Sequence, residues 1–181
     1  MGKFILSMNV SLDGYVDDIG GNLVMPAPSS EVFRFWIDEV GRHAATIYGR
    51  RMYEVMRYWD QDDPNWSDAL REFADVWRKV PKWVVSSTLG EVGPNATLIK
   101  GDIAAQARDL KARTDGTISV SGPEIAGLMT GLNLIDEYHM VLRPYVLGQG
   151  KPFFHGARPP LKLVSSERLD DDTMHLVYVP A

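Results

Sequence analysis

Strand-like and helix-like patterns alternate along most of this chain, and only strand-like patterns follow near its end. Short apolar runs rich in β-branched residues indicate strands, whereas apolar residues that recur every three to four positions indicate helices. The predicted strands are residues 4–8, 44–48, 82–86, 96–99, 117–120, 135–142, 161–169 and 174–179, and the predicted helices are residues 29/30–40, 50–56, 66–80, 102–113 and 123–129. This order predicts an α/β layered domain with a mostly parallel central sheet and an antiparallel edge at its C-terminal end.

Length, charge and cysteine content narrow the classes of protein to which the chain can belong. Its 181 residues fit one domain over residues 1–181, and the absence of cysteine excludes a disulfide framework, a thiolate metal site and a cysteine nucleophile. The 24 acidic and 19 basic side chains give a net charge of −5 without a basic block, which predicts neither a nucleic-acid nor a membrane partner. No signal-peptide pattern and no membrane-spanning apolar run is visible, so we expect a cytoplasmic protein.

Histidine spacing predicts no metal site. His43, His139, His155 and His175 lie in separate predicted elements and lack the i, i+4 spacing of a helical metal site. We therefore interpret them as surface or structural residues.

Three turns follow strands of the predicted sheet, and each combines glycine, arginine or hydroxyl residues. They contain Gly49-Arg50, Ser86-Ser87-Thr88 and Ser121-Gly122-Pro123. The first two turns, each taken alone, are better explained as ordinary polar turns, and the single glycine at position 122 is weak evidence and not a Rossmann fingerprint. Ligands of open α/β sheets bind outside the carboxyl ends of the strands, so the three turns together predict a phosphorylated nucleotide across that edge.

Glu31 begins a helix in which Val32, Phe33, Phe35, Trp36, Ile37 and Val40 are apolar almost all the way round. Such a helix is buried or lines an apolar pocket. A carboxylate at the mouth of such a pocket could anchor an amine-rich ring through paired hydrogen bonds. Alternatively, Glu31 is a first-turn acid that the helix dipole favours. The local sequence leaves both interpretations open.

Four stretches resemble the dihydrofolate reductase-like superfamily, and among its branches the C-terminal reductase domain of the bifunctional riboflavin-biosynthesis deaminase-reductase and its stand-alone relatives. The stretches are Ser11-Leu12-Asp13-Gly14-Tyr15-Val16, residues 48–54, residues 85–88, and the run from Val120 through residues 134–137 to residues 144–150. The resemblance implies a three-layer fold with helices on both faces of the sheet. At one turn the family usually carries two adjacent glycines, whereas this chain has Ser121 before Gly122.

The resemblance also implies an NADPH cofactor and a set of binding residues. The adenosine side with its 2′-phosphate would be held by Gly49, Arg50, Arg51, Met52, Ser86, Ser87 and Thr88, and the pyrophosphate by Ser121, Gly122, Pro123, Glu124 and Ile125. Met8, Asn9 and Val16 would flank the nicotinamide. Glu31 would be the catalytic, ring-gripping carboxylate, and Phe35 and Asp13 would be further substrate contacts.

The function that follows is reduction of an aminopyrimidine or pterin-like small molecule with NADPH. A reductase of the ribosylaminopyrimidine type comes first, a dihydrofolate reductase second, and a nucleotide-binding protein without turnover third. No counterpart of the deaminase half is present, so we expect no deamination. Because several relatives pair through C-terminal strands and residues 141–154 look apolar and exposed, we expect a homodimer.

Overall fold

The computed structural model describes residues 1–181 and consists of a central eight-stranded sheet between two layers of helices. The strands are β1 Lys3–Val10, β2 Tyr15–Asp17, β3 His43–Gly49, β4 Lys82–Val85, β5 Ala96–Ile99, β6 Thr117–Ser121, β7 Glu137–Leu142, β8 Lys151–Pro152, β9 Leu161–Arg168 and β10 Met174–Pro180. The helices are α1 Ser30–Gly41, α2 Arg50–Met56, α3 Asp68–Lys79, α4 Ile103–Arg113 and α5 Pro123–Gly131, with a short 3-10 helix at Arg57–Asp60.

The central sheet has the strand order β5-β4-β3-β6-β1-β7-β10-β9. The first six strands in this order, from β5 through β4, β3, β6 and β1 to β7, pair in parallel. Strand β10 runs antiparallel to both β7 and β9. The predicted mostly parallel sheet with an antiparallel C-terminal edge is therefore confirmed. The carboxyl ends of β3, β4, β5 and β6 lie side by side, which brings the loops that follow them to one edge.

Helices cover both faces of the sheet. One face packs against α4 and α5, where Ile118 and Val120 lie in the same buried cluster as Leu110 and Met129. The other face packs against α1 and α3, and there the Trp77 indole N–H donates a 3.0 Å hydrogen bond to the Tyr48 hydroxyl. Residues alternate between the two faces along each strand, so the three-layer arrangement follows from the strand period of two.

The predicted boundaries differ from the observed ones where side chains cap an element. Helix α3 begins at Asp68 and not at 66, because the Ser67 hydroxyl accepts a hydrogen bond from the Leu70 N–H and caps the helix. Strand β7 begins at Glu137 and not at 135, because the side chain of Asp136 is engaged: its carboxylate accepts a 2.7 Å hydrogen bond from the Phe4 N–H. The segment between β1 and α1, for which no strand or helix was predicted, contains β2, which pairs with β8 in a separate two-stranded sheet and is too short to show a pattern.

Most apolar side chains of segment 141–154 are buried or half-buried, contrary to the expectation of an exposed apolar surface. Val141 and Phe153 are in the core, and only Val146 among its large aliphatic residues is strongly exposed. The exposed apolar side chains of the C-terminal region are instead Leu163 and Val164 on the edge strand β9. None of the helices combines the length and the apolar character needed to cross a bilayer.

Candidate functional site

Two cavities adjoin at the carboxyl edge of the sheet. Cavity A, about 510 Å³, lies over the ends of β3, β4, β5 and β6. Cavity B, about 340 Å³, lies between the sheet and the helices α1 and α3. The residues that line both cavities are Asp17, Leu23, Met52 and Pro123. The two cavities are therefore neighbouring compartments of one cleft, and a long ligand in cavity A could reach into cavity B.

Two glycine turns face each other in cavity A. Gly122 has a φ of 113°, a conformation that residues with a side chain rarely adopt. A Cβ atom at this position would lie 3.5 Å from the Met52 Cβ and 3.8 Å from the Gly49 nitrogen. The turn precedes α5, whose first turn has no side-chain cap and presents free N–H groups. Backbone and helix end together form a surface suited to a phosphate.

Basic side chains outnumber acidic ones around cavity A. The basic residues are Arg50, Arg51, Lys100 and Lys151, and the acidic residues are Asp17 and Glu124. The Lys151 ammonium lies 2.8 Å from the Glu124 carboxylate and lowers the pKa of that group. Arg51 donates a 2.6 Å hydrogen bond to the Gly20 carbonyl, and Arg50 makes only a 3.3 Å surface pair with Glu54. The excess of positive charge fits a phosphorylated ligand.

The hydroxyl turn after β4 divides into a structural part and an accessible part. The buried Ser86 hydroxyl accepts hydrogen bonds from the Thr88 N–H at 3.2 Å and the Leu89 N–H at 3.0 Å, so it shapes the turn. The side chains of Ser87 and Thr88 are exposed in cavity A. These two hydroxyls are therefore the ones available to a ligand.

Cavity B has a polar floor and an aromatic wall. The floor consists of side chains on alternate positions of three strands, namely Ser7, Asn9, Thr46, Tyr48, Ser119 and Ser121. The wall consists of Phe33, Trp36, Trp59 and Phe73. The Trp36 indole N–H donates a 3.2 Å hydrogen bond to the Asn9 side-chain oxygen and joins wall to floor. A flat polar ring suits such a space, because it can stack on the wall and hydrogen-bond to the floor.

Residues 3–175 match the model of the RibD C-terminal domain family. The chain belongs to this family. The match covers nearly the whole chain and confirms the resemblance drawn from the four stretches of sequence.

Two proteins are similar to this chain over almost its whole length. The chain is 27% identical to the uncharacterized protein YyaP of Bacillus subtilis over 97% of this chain and 94% of that protein. Among solved structures, a putative riboflavin biosynthesis protein from Shewanella sp. PV-4 has a TM-score of 0.74 at 24% identity, with 99% of each chain covered. These two relatives match the chain over almost their full lengths.

More distant structures share the fold. The Thermotoga maritima diaminohydroxyphosphoribosylaminopyrimidine deaminase/5-amino-6-(5-phosphoribosylamino)uracil reductase has a TM-score of 0.69 at 16% identity, covering 99% of this chain and 57% of that one. Dihydrofolate reductase from Enterococcus faecalis, complexed with NADP(H), has a TM-score of 0.66 at 11% identity, covering 98% and 96%. The fold is thus that of dihydrofolate reductase-like proteins.

All residues that the resemblance assigned to a cofactor line the cleft in this member of the RibD C-terminal domain family. Met8, Asn9, Val16 and Ser121 line cavity B, Gly49, Arg50, Arg51, Ser86, Ser87, Thr88, Gly122, Glu124 and Ile125 line cavity A, and Met52 and Pro123 line both. The turns meet because the strands that precede them are neighbours in the sheet.

Glu31 and Phe35, which were predicted to contact the substrate, line neither cavity. Glu31 is exposed, accepts a 2.9 Å hydrogen bond from the Ser30 hydroxyl, and lines neither cavity. Hydrogen bonds from its own backbone N–H and from Ser30 lower its pKa, as expected for a first-turn acid. The ring of Phe35 lies 4.9 Å from that of His175. Helix α1 turns Phe33 and Trp36 toward cavity B, which directs positions 31 and 35 elsewhere.

Asp13 also lies outside both cavities. Its carboxylate accepts hydrogen bonds from the Ser11 hydroxyl at 2.6 Å, the Leu147 N–H at 3.1 Å and the Gly148 N–H at 2.6 Å. These bonds lower its pKa and tie residues 147–148 to the loop after β1. The predicted substrate contact is therefore replaced by a structural one.

Several cleft residues were not found from the sequence. Asp17 lines both cavities, and burial raises the pKa of its carboxyl group. His43 and Arg143 line cavity B, although they are distant in sequence from every predicted site residue. Polar residues at alternate positions of otherwise buried strands, such as Ser119 and Ser121, were the available signal for the floor.

Three histidines predicted to be scattered come together beneath cavity B. His175 Nε2 lies 3.3 Å from His139 Nδ1, and the buried Glu39 carboxylate lies 3.8 Å from His43 Nε2 and 3.7 Å from His139 Nδ1. Desolvation lowers the pKa of His139. No group of three or more histidine, aspartate or glutamate side chains has the geometry of a metal site.

Proposed function

We propose that this protein is an NADPH-dependent reductase acting on an aminopyrimidine, similar to the 5-amino-6-(5-phosphoribosylamino)uracil reductase that gives its name to the Thermotoga maritima relative. One observation carries the proposal: the residues assigned to the cofactor line two adjoining cavities, one basic and one apolar with a polar floor. The E. faecalis relative, which is complexed with NADP(H), supports the choice of cofactor.

Cavity A would hold the two phosphate-bearing parts of the cofactor. The pyrophosphate would lie at the Gly122 turn, where the first N–H groups of α5 are free. The 2′-phosphate would bind Arg50 with the exposed hydroxyls of Ser87 and Thr88. The cofactor supplies the hydride, while the protein orients the two rings and excludes water from between them.

Cavity B would hold the ring to be reduced. Its only carboxylate is Asp17 at the junction with cavity A, and the floor offers mainly hydroxyls. A pterin presents an amidine-like N–H edge that pairs best with a carboxylate, whereas an oxo-rich pyrimidine can accept hydrogen bonds from hydroxyls. The lining therefore favours the aminopyrimidine substrate over dihydrofolate. The Asp17 carboxyl group, with its raised pKa, is suitably placed to supply the proton that accompanies the hydride.

Titration with NADPH, followed by a substrate panel, tests this function. We expect nicotinamide fluorescence to change on binding, and NADPH to be consumed with 5-amino-6-(5-phosphoribosylamino)uracil but slowly or not at all with dihydrofolate. NADPH binding without turnover of either compound would instead support a nucleotide-binding protein. The absence of NADPH binding would refute the assignment of cavity A.

A matched pair of glycine variants locates the binding site. Gly122→Ala introduces a side chain at a positive φ beside Gly49, and we expect it to weaken NADPH binding at least tenfold. Gly131→Ala at the other end of α5 has open space and no positive φ, so it should bind NADPH normally. Equal binding by both variants would show that the cofactor does not use this turn.

A further inference from the structure

Arg143 is a buried cation in the wall of cavity B. It follows β7, and its backbone N–H donates a 2.8 Å hydrogen bond to the Val10 carbonyl, which fixes the residue beside β1. Only 4% of the residue is exposed, and it is the one arginine in the buried core. Its side chain lines the cavity with Asn9 and Trp36.

The charge of Arg143 has no carboxylate partner in the protein. Its guanidinium makes only two long hydrogen bonds, to the Pro26 carbonyl at 3.5 Å and the Ala27 carbonyl at 3.4 Å, its Nε has no hydrogen-bond partner, and its carbon lies 5.7 Å from the centre of the Tyr145 ring. By contrast, the surface residue Arg34 makes a two-pronged pair with Glu72 at 2.7 and 2.8 Å. A buried guanidinium cannot lose its proton, so this charge is compensated only if a ligand brings an anion.

The other buried cation shows what a self-sufficient arrangement looks like. The Lys82 ammonium donates to the Trp77 and Val80 carbonyls, both at 2.8 Å, and lies 4.1 Å from the centre of the Trp77 ring. Lys82 lines neither of the two cavities that form the cleft. The corresponding contacts of Arg143 are all longer, because its carbonyl partners lie at 3.4 and 3.5 Å and its guanidinium carbon lies 5.7 Å from the centre of the Tyr145 ring.

Neither acidic group near cavity B pairs with Arg143. Asp17 lies at the junction with cavity A, within the electrostatic influence of Lys151 and Arg51. Glu39 lies behind the cavity floor, 3.8 Å from His43 Nε2 and 3.7 Å from His139 Nδ1. Besides Arg143 Nε, the Ser7 hydroxyl of the floor is a buried polar group without a hydrogen-bond partner. Cavity B therefore contains two polar side chains with hydrogen-bonding groups that the protein itself does not use.

We infer that Arg143 binds an oxyanion carried by the substrate, a carboxylate or a phosphate, while the attached planar ring lies between the Trp36 wall and the strand floor. This inference rests on the proposed function, because it takes cavity B as the substrate site. The flat guanidinium matches two oxygens of either group. Arg143 is thus a specificity-determining residue that selects an anionic ring over a neutral ring of the same shape.

Two pairs of pyrimidine probes distinguish the kind of anion. Orotate against uracil tests a carboxylate, and uridine 5′-monophosphate against uridine tests a phosphate. Binding is measured from the fluorescence of Trp36 and Trp59, which line the cavity, with the full chain in the presence of NADP+. We expect the wild type to bind the charged member of at least one pair ten times more tightly or better, and the pair that shows it identifies the anion.

Arg143→Gln should reduce that preference to twofold or less, and Arg143→Lys should keep part of it because it retains the charge. Arg71→Gln is the matched control, since Arg71 also contacts only backbone carbonyls but lies outside the cleft. If Arg143→Gln does not fold, the wild type and Arg143→Lys still decide the question.

Three results would overturn the inference: equal affinities within both pairs, no binding of any of the four probes, or an undiminished preference in Arg143→Gln. NADP+ affinity is measured in the same samples. A wild type that prefers the anionic probe but binds no NADP+ would contradict the proposed reductase function and leave the role of Arg143 standing.

Discussion

Arg50 provides the most direct test of how the cofactor is chosen. NADPH and NADH differ only in the 2′-phosphate, so a residue that contacts this group changes one affinity and not the other. Arg50 begins α2 at the edge of cavity A, beside the exposed Ser87 and Thr88. Arg50→Ala removes the positive charge and leaves the helix start intact, since alanine is a good helix former.

The expected effect follows from two opposing contributions. A hydrogen bond to a charged group contributes about 1.5–3 kcal/mol, and the exposure of Arg50 places it at the lower end of that range. To bind the phosphate, Arg50 gives up its 3.3 Å surface pair with Glu54, and such a pair contributes about 0.3–0.5 kcal/mol. The difference of about 1 kcal/mol corresponds to a preference for NADPH that falls roughly five- to tenfold in the variant.

The assay is a fluorescence titration of both cofactors against the wild type, Arg50→Ala and Arg34→Ala. Arg34 lies outside the cleft in an exposed pair with Glu72, so its variant should bind both cofactors as the wild type does. Glu54→Gln frees Arg50 and should raise NADPH affinity about twofold at low salt. Equal affinity of the wild type for NADPH and NADH, or a parallel loss of both in Arg50→Ala, would refute this reasoning.

Three further outcomes are expected. Glu31→Gln should leave NADPH affinity and reductase rate unchanged, because Glu31 is exposed outside both cavities; a loss of rate in steady-state assays would restore it as a substrate contact. Burial lowers the pKa of Lys82 from 10.5 to about 8, so the unfolded chain binds more protons between these values. The free energy of unfolding of the wild type should therefore rise relative to that of Lys82→Met as the pH increases from 8 to 10.5. Urea denaturation at several pH values measures this difference, and a difference that does not change with pH would contradict the prediction. We expect a homodimer through the edge strand β9, where Leu163 and Val164 are exposed. Light scattering should show a larger monomer fraction for Val164→Lys than for the wild type, and a monomeric wild type at micromolar concentration would contradict the expectation.

Much of cavity A was predictable from the sequence. The turns at Gly49, Ser86 and Gly122 each follow a strand, and parallel strands deliver their following loops to one edge. Local patterns are sufficient for this step because strand period, glycine and hydroxyl residues are all properties of short segments. The sheet order and the registers then bring the three turns together.

Part of the lining of cavity B was decided by tertiary structure. Glu31, Arg34 and Asp38 recur at helical spacing in α1 and are all exposed, so the sequence does indicate the solvent face of this helix. It does not identify Phe33 and Trp36 as the residues of α1 that form the wall of the cavity. Likewise, the antiparallel register of β7 with β10 brings His139 and His175 together although 36 positions separate them.

Arg143 is the clearest example of a feature that the tertiary structure decides. Its sequence neighbourhood gives no sign of a missing partner, because a charge is paired or unpaired only with respect to residues that the fold brings near it. Local periodicity therefore determined the elements and the turns of this protein. The pairing of buried charges depends on contacts between distant segments, and only the folded chain establishes it.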